Sequence, residues 1–355
     1  MKKVLLLTTT PLKNDGLTKI EMDILEYNKK VIQFDVASSF SFENEFGEKL
    51  KKEKFKLKIL SSKKSVFAYM HSIYKLIKKE KYDVVYIHGN SAMMLMEALP
   101  VKLAGKSKII THCHNTKSDF PVMHYFFKFF FNCIVDEKIA CSSLAAKWAY
   151  CGKNITVILN GVDVEKFKFN EEIRKNKRIE LGWNDKYIIG HIGRFNKQKN
   201  HVKLIDIFLE ILKTNKSARL LLVGDGELEE EIKEKVLRNE IQDYVCFLGT
   251  TDRVQDYMQA MDIIVLPSKF EGLCIVAIEA QANGLPVILS DKFSVETLAT
   301  KNVLTLPLKE NEKYWADIIN TKVYKGRFDN FKILIDGKYN AKIMMDEIQK
   351  VLLKD

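Results

Sequence analysis

Two acidic side chains in one apolar stretch are spaced for contact with both ends of a long ligand. Glu271 and Glu279 lie eight residues apart within residues 266–289, LPSKFEGLCIVAIEAQANGLPVIL. On one ideal helix they would be about 12 Å apart along the axis, more than the ~5–9 Å between the paired carboxyls of glycoside hydrolysis. Gly272–Cys274 are expected to open the helix, where free N–H groups favour a phosphate. The spacing suits a nucleotide sugar, with solvated helix-end charges as the alternative.

A second candidate is the basic loop Gly193–His201, which places several cations between a predicted strand and a predicted helix. Arg194 offers a fork of donors to phosphate oxygens, and Lys199 offers a point charge. Such cations stabilise a diphosphate that gains negative charge as its bond to a sugar breaks. The sequence has no Asp-x-Asp pair of the kind that holds Mg²⁺, so no metal or other cofactor is expected. A solvated basic loop is the alternative.

Two histidines, His112 and His114, flank Cys113 at the end of a predicted strand and should share one side of it. The pair invites a zinc interpretation. A third and a fourth ligand at plausible spacing are missing, so we expect no metal site here. His114 is instead a candidate hydrogen-bonding group, with a structural histidine as the alternative.

Short apolar strands alternate with helices in both halves, which predicts two parallel-sheet α/β domains. The charged run Glu171–Glu180 is interpreted as a linker, with a boundary near residues 165–180. We expect domains at 1–165 and 180–335, a final amphipathic helix at 339–353, and no clear pattern at 307–335. Ligands of open parallel sheets bind beyond the carboxyl ends of the strands. Candidates at such ends predict a cleft between the domains: Gly16, His88, His112, His114, Arg194, Lys199, Gly224, Thr250 and Glu271.

The 355-residue chain is basic, and its charge is unevenly placed. Residues 1–165 carry 26 Lys and no Arg against 17 Asp and Glu, a net +9, whereas the remainder carries 31 Lys and Arg against 29 acids, a net +2. The first half is therefore expected to meet something anionic, namely lipid headgroups, a pyrophosphate or nucleic acid. A lysine-rich surface is the alternative.

The compartment is predicted from cysteine spacing and apolar runs. The six cysteines show no CxxC spacing, which favours a reduced, cytoplasmic protein. No apolar run approaches ~18 residues, so no membrane span is expected. The aromatic helix His124–Cys133, including Phe126–Phe131 around Lys128, is either a membrane-facing surface or buried core. Buried core is the expectation.

These motifs occur together in one known family. Glu271 and Glu279, with Gly272 after the first, match the Glu-x7-Glu element of retaining nucleotide-sugar glycosyltransferases of family 4, also called glycosyl transferases group 1. Gly193-Arg194 followed by Lys199-Asn200 resembles the family's phosphate-binding loop. Three further landmarks follow in the family's order: Asn160–Asp163, Leu222–Gly226 and Phe247–Gly249. With the sequence His-Cys-His-Asn at His112–Asn115, the chain looks most like the bacterial exopolysaccharide and capsule branch of the family.

The resemblance implies a GT-B fold, in which two Rossmann-like domains face each other across a cleft. It implies that Arg194 and Lys199 hold the donor pyrophosphate. Glu279 would bind the ribose hydroxyls, and Glu271 would meet the transferred sugar. The first domain would take the acceptor, with His114 near the reacting centre, and the C-terminal helix at 339–355 would cross back to the first domain. The remaining donor contacts would be Gly16, Thr250 and the backbone of Gly272, Leu273 and Cys274.

The sequence therefore predicts a retaining hexosyltransferase that moves a sugar from a nucleoside diphosphate, expected to be UDP, to a lipid-pyrophosphate-linked glycan. The product would be a capsule or exopolysaccharide precursor. The enzyme would work in the cytoplasm, at the inner face of the plasma membrane, where its basic half meets anionic lipid; no nucleic acid partner is expected. Three alternatives stay open: a nucleotide-sugar epimerase on the same fold, a transferase with a soluble acceptor, and a non-catalytic basic protein that binds membranes or nucleic acid.

Overall fold

The computed structural model describes residues 1–13, 16–118, 120–152, 154–321 and 326–354. The chain forms two compact units, Met1–Asn160 with Lys342–Asp355, and Gly161–Ala341. The division precedes the boundary predicted at residues 165–180, because the charged run placed in the linker is a helix that packs within the second unit.

The first unit is built on a parallel sheet of seven strands in the order β3-β2-β1-β4-β5-β6-β7. Val4–Leu7 and Val84–Ile87 are continuous buried apolar runs, as expected of central strands covered on both faces. The strands are β1 (Lys2–Thr8), β2 (Ile32–Ser38), β3 (Lys56–Ile59), β4 (Val84–Gly89), β5 (Lys108–Cys113), β6 (Glu137–Ala140) and β7 (Thr156–Val157).

Helices follow the strands and cover this sheet. They are α1 (Gly16–Asn28), α2 (Glu45–Lys52), α3 (Val66–Glu80), α4 (Leu95–Ala104), α5 (Pro121–Ile134) and α6 (Ser143–Ala149). The C-terminal helix returns to this unit, where the side-chain amide of Gln349 donates to the side-chain oxygen of Asn28 at 2.8 Å. The phenol of Tyr27 donates to the Asp346 carboxylate at 2.5 Å.

Helix α5 turns its aromatic side outward. His124 and Phe131 are buried, but Phe126 is 65% exposed and Phe129 is 68% exposed. The expectation that this helix is buried core is therefore wrong. Strongly apolar helices usually face the core, but the composition of this helix does not say which side faces the protein.

The second unit is built on six parallel strands in the order β10-β9-β8-β11-β12-β13. Its core forms between the sheet and its helices around Phe208, Leu220 and Trp315. The strands are β8 (Tyr187–Ile192), β9 (Ala218–Val223), β10 (Val245–Gly249), β11 (Ile263–Leu266), β12 (Val287–Ser290) and β13 (Val303–Leu306). The helices are α7 (Val164–Phe167), α8 (Glu171–Glu180), α9 (His201–Thr214), α10 (Glu229–Arg238), α11 (Val254–Ala260), α12 (Ile275–Ala282), α13 (Glu312–Thr321) and α14 (Phe331–Ile335), before the C-terminal helix α15 (Ala341–Leu353).

The charged run of α8 is ordered by a carboxylate far along the chain. The guanidinium groups of Arg174 and Arg178 contact the two oxygens of Asp262, at 2.5 and 3.2 Å. Asn170 caps the helix by accepting from the Ile173 amide at 3.0 Å. Residues 307–335, which showed no clear pattern, include α13 and α14; residues 322–325 lie outside the described part.

The prediction of two parallel-sheet, Rossmann-like units is confirmed. Among the described residues, no helix combines the length and apolar character needed to cross a bilayer.

Candidate functional site

The strand order of the second sheet reverses between β8 and β11, and this is the position at which a ligand is expected. There β8 and β11 are parallel neighbours, and the chain proceeds from them toward opposite edges of the sheet. Residues 193–200 follow β8 and residues 267–274 follow β11, so both loops lie beyond carboxyl ends. Ligands of open α/β sheets bind in such crevices.

Hydrogen bonds tie these two loops together. The Asn200 side-chain amide donates to the Pro267 carbonyl at 3.1 Å. Gln198 donates from its side chain to the Phe270 carbonyl at 3.0 Å and accepts at its own carbonyl from the Lys269 amide at 2.8 Å. The functional side chains of both loops are therefore held by a shared backbone scaffold, as a preorganised site requires.

Lys199 and Glu271 form an ion pair between the loops, with Nζ 2.6 Å from Oε1. Their side chains are only 17% and 9% exposed. Burial disfavours the charged ammonium, but the adjacent Glu271 carboxylate outweighs this effect and raises the pKa of Lys199 above its ordinary value. The structure thus brings together two predicted site residues and keeps Lys199 cationic.

The backbone before α12 presents amide groups beside this pair. Because α12 begins at Ile275, with Cys274 at the N-cap, Gly272–Cys274 precede the helix instead of opening it as predicted. The N–H groups of residues 272–274 donate to no acceptor among the described residues. Leu273 and Cys274 are buried, and burial raises the pKa of the Cys274 thiol to about 11, so the thiol is neutral. Free amides at a helix N-terminus favour an anion.

The two glutamates do not share one helix. Glu271 lies in the loop, where its amide donates to the Lys292 carbonyl at 3.2 Å, and Glu279 lies inside α12. The spacing expected for one ideal helix therefore does not apply. Both residues are almost fully buried, at 7% and 5% exposed.

Two glycines allow the loop after β9 to pack directly on the basic loop. Gly224 and Gly226 have φ of +135° and +150°, a region that disfavours side chains. A Cβ at Gly224 would lie 2.3 Å from the Gly193 carbonyl oxygen, and one at Gly226 would lie 2.5 Å from that of Phe195. A larger residue at either position would displace the backbone that carries Lys199.

Two other predicted donor contacts lie further from the ion pair. Arg194 is exposed and pairs weakly with Glu227, Nε to Oε2 at 3.3 Å, as is usual for surface pairs. Thr250 is exposed and directly follows β10, two strands away from β8. That offset is about 10 Å across the sheet, so Thr250 does not join the Lys199–Glu271 pair.

A buried aromatic cluster under the basic loop was missed from the sequence. The His201 ring stacks on Phe195, with centroids 4.0 Å apart, and packs edge-on against His191 at 4.5 Å. Burial lowers the pKa of His191 to about 4 and that of His201 to about 2, so both are neutral. Their position at the two ends of the motif HIGRFNKQKNH was the available signal.

The first unit carries a neutral histidine cluster at the carboxyl edge of its own sheet. His114 Nε2 lies 3.1 Å from His88 Nδ1, and His112 Nδ1 lies 2.8 Å from the Tyr86 hydroxyl oxygen. Burial lowers the pKa of His114 to about 3. Burial also lowers the pKa values of His88 and His112 well below their ordinary range, so all three rings are neutral at pH 7.

These three histidines are the described residues that could hold a metal ion, because one ring nitrogen of each lies within 4.8 Å of the others. The expectation that His112 and His114 lack a third metal ligand is therefore wrong. His88 was overlooked as a partner because it lies on a different strand. The parallel register of β4 and β5 pairs His88 with His112.

Gly16 is the exposed first residue of α1, which follows β1. The strand order of the first sheet reverses between β1 and β4, so Gly16 also belongs to a switch point. Asn14 and Asp15, which precede Gly16, lie outside the described residues.

Two family models divide the chain between them. The model of the glycosyl transferases group 1 matches residues 173–321, and that of glycosyltransferase family 4 matches residues 33–166. EpsF of Bacillus subtilis (strain 168), a protein named as a glycosyltransferase, is 32% identical over 243 residues, covering 65% of this chain and 63% of the relative. The UDP-Gal:alpha-D-GlcNAc-diphosphoundecaprenol alpha-1,3-galactosyltransferase of Escherichia coli is 30% identical over 236 residues, covering 62% and 60%.

The chain thus spans about three fifths of the length of these curated relatives. Among solved structures, Alr3699/HepE of Anabaena in complex with UDP matches with a TM-score of 0.80 at 19% identity, covering 99% of each chain. At that identity the likeness speaks for the fold. The chain belongs to the glycosyltransferases of family 4 and has their GT-B class of fold, with two Rossmann-like domains.

Proposed function

We propose that this protein is a retaining glycosyltransferase that moves a hexose from a UDP-sugar to a lipid-pyrophosphate-linked glycan, during synthesis of a capsule or exopolysaccharide. The observation that carries the proposal is the buried Lys199–Glu271 pair beside free amides at a switch point. Relatives support the donor and the acceptor. The Escherichia coli relative is named for UDP-Gal and a diphosphoundecaprenol-linked sugar, and the Anabaena structure holds UDP.

In this proposal the second domain binds the donor. Lys199 and Arg194 hold the diphosphate together with the amides of Gly272, Leu273 and Cys274. Glu279 accepts hydrogen bonds from the ribose hydroxyls, and Glu271 contacts the transferred sugar. Thr250 lies on the side of the base, because the strand that it follows is displaced from the switch point along the sheet.

The energetic role of Lys199 follows from its fixed charge. Its ammonium is already ionised and held by Glu271 before a ligand arrives, so the site does not reorganise as the diphosphate leaves. The leaving diphosphate gains negative charge in the transition state, and a preplaced cation stabilises that charge more than it stabilises the ground state. Loss of one such donor typically costs roughly 100-fold to 1,000-fold in turnover.

The first domain binds the acceptor in this proposal. His114, with its neutral ring, acts as a hydrogen-bonding group toward a sugar hydroxyl near the reacting centre. Gly16, at the start of α1, lets backbone approach the donor phosphate. Because side chains and backbone amides supply every role in this proposal, it includes no metal, and EDTA should leave the transfer rate unchanged.

Retention is proposed to occur on one face of the donor, because the only carboxylate given to the transferred sugar, Glu271, is occupied by Lys199. The bond from the anomeric carbon to the diphosphate oxygen breaks with its electron pair passing to the phosphate. The acceptor hydroxyl oxygen forms the new bond on the same face. Its proton goes to the departing phosphate oxygen.

The first test is a thermal-shift screen with UDP, GDP and ADP. Selective binding at a hundredfold excess over Kd would stabilise the folded state by about 2.7 kcal/mol. We expect UDP to raise Tm, and we expect Lys199→Ala to abolish the rise. Lys197→Ala is the matched control, because Lys197 is an exposed cation of the same loop. Absence of protection by every nucleoside diphosphate would instead support a non-catalytic basic protein.

The second test follows the products. Incubation with a UDP-hexose and a lipid-pyrophosphate-linked sugar should yield a glycoside with the donor's anomeric configuration, read by NMR. An inverted product would refute retention. Conversion of the donor alone into a different sugar nucleotide would show the epimerase instead.

A further inference from the structure

The outward side of α5 is a continuous apolar stripe. Its members recur at intervals of three and four residues, as one face of a helix does. They are between 53% and 80% exposed, whereas such stripes normally face the core. We name this surface the aromatic face: Val122, Tyr125, Phe126, Phe129 and Phe130.

The inward side of α5 is anchored largely by polar contacts. The His124 ring stacks on Trp148 with centroids 3.7 Å apart, and its Nδ1 accepts from the Ala92 amide at 3.1 Å. Asn132 accepts from the Cys151 amide at 2.8 Å and donates to the Ala149 carbonyl at 3.3 Å. These contacts fix the orientation of α5. The helix therefore cannot rotate about its own axis to bury the aromatic face.

The charged side chains of α5 and of the neighbouring α6 are cationic. Helix α5 contains one ionisable charge, Lys128, and no acid, and the neighbouring α6 contains Lys147 and no acid. The two are joined, since the Lys128 ammonium donates to the Lys147 carbonyl at 2.8 Å. In a symmetric contact between two copies, these lysines would lie close to the same lysines of the second copy and repel them. An anionic lipid surface attracts them instead.

The position of α5 connects it to the histidine cluster. The helix follows β5, and its His124 and the Trp148 on which it stacks contact residues directly after β4, namely the Ala92 amide and the Asn90 carbonyl. Both strands end at the carboxyl edge that holds His88 and His114. A bilayer at the aromatic face would therefore lie beside the edge at which we propose that a lipid-linked acceptor is bound.

We propose that the aromatic face docks this protein on an anionic lipid bilayer, with its aromatic rings in the interfacial region and the flanking lysines at the headgroups. This inference rests on the proposed function, because docking on a bilayer would serve to deliver the lipid-linked acceptor. Aromatic side chains prefer the membrane interface, and a helix with an apolar face and basic flanks lies in its plane.

The test is co-sedimentation of the full chain with vesicles of phosphatidylglycerol and phosphatidylcholine. The double variant Phe126→Ser/Phe129→Ser should lower the partition coefficient at least roughly ten-fold, because two large apolar side chains lose their burial. The matched control is Ile59→Ser/Phe67→Ser, which removes two side chains of the same unit that are 74% and 88% exposed on β3 and α3. It should bind as the wild type does. Vesicles of phosphatidylcholine alone should bind less protein.

Other results would overturn the inference. They are wild-type protein that stays in the supernatant, a double variant that sediments unchanged, or a wild-type dimer in light scattering that the double variant dissociates. Equal stabilisation by UDP in all three proteins confirms that they are folded. If UDP stabilises the protein and a soluble acceptor is glycosylated while vesicles are not bound, docking fails and the proposed transferase stands.

Discussion

The two sheets differ in electrostatics at their carboxyl edges, with charged side chains at one and neutral rings at the other. At the switch point of the second sheet, Lys199 and Glu271 form a buried ion pair 2.6 Å apart. At the carboxyl edge of the first sheet, His114 and His88 are neutral rings whose nitrogens lie 3.1 Å apart. Both edges follow from the same α/β architecture. The fold therefore sets where a site can form, and the residues of each loop decide what it can bind.

This difference assigns the chemistry. A fixed cation with free amides suits an anion such as a diphosphate. Neutral imidazoles suit uncharged hydroxyl groups, as on a sugar. Three kinetic predictions test whether charge belongs to one edge and hydrogen bonding to the other, from the largest expected effect to the smallest, and a prediction on acid stability follows them.

Removal of the ammonium should have the largest effect. Lys199→Ala should lower kcat roughly 100-fold to 1,000-fold, because the leaving diphosphate loses its preplaced cation. Steady-state kinetics with a UDP-sugar measure this, and circular dichroism confirms the fold. Lys197→Ala should stay near the wild-type rate; equal losses in both variants would mean that general loop charge matters, not the pair.

Removal of the imidazole should slow transfer without weakening the binding of the nucleotide. His114→Ala should lower kcat roughly 100-fold, the range of one positioned catalytic group, while stabilisation by UDP is retained. Thermal shift and kinetics on the same protein separate these effects. If His114→Ala abolished UDP binding, the division of labour between the two edges would be wrong.

Glu279 should affect the donor alone. In the proposed donor site Glu279 accepts hydrogen bonds from the ribose, so Glu279→Ala should raise the donor KM roughly ten-fold, equivalent to about 1.4 kcal/mol. Glu279→Gln keeps the volume and should recover part of the affinity. A selective rise in the acceptor KM would reverse the assignment of the domains.

The last prediction concerns acid stability and not a rate or an affinity. Because burial lowers the pKa of His114 to about 3, the unfolded chain binds a proton that the folded chain does not below about pH 6.5. The free energy of unfolding should therefore fall between pH 7 and pH 5, by about 2 kcal/mol for one such histidine. His191 and His201 add to the same fall. Denaturant unfolding of wild type and His114→Gln measures the difference; an identical pH dependence would contradict the buried neutral ring.

Much of the fold was predictable because its signals are local. Alternation of apolar strands and helices gave both sheets, and strand ends located Lys199, Glu271 and His114. Contacts between distant segments were not predictable in the same way. The pairing of Lys199 with Glu271 and of His88 with His114 depends on which strands are neighbours.

The errors have the same origin. The charged run of α8 resembled a linker because its partner, Asp262, lies on another segment. The aromatic helix resembled core because amphipathicity gives the period of a face and not its direction. Packing of His124, Phe131 and Asn132 against the domain fixes that direction.

The most direct test is a crystal structure of the protein with UDP. The account predicts diphosphate oxygens about 3 Å from the Lys199 ammonium and from the amides of residues 272–274, with the ribose at Glu279. A nucleotide bound in another part of the molecule, with the Lys199–Glu271 pair untouched, would contradict it.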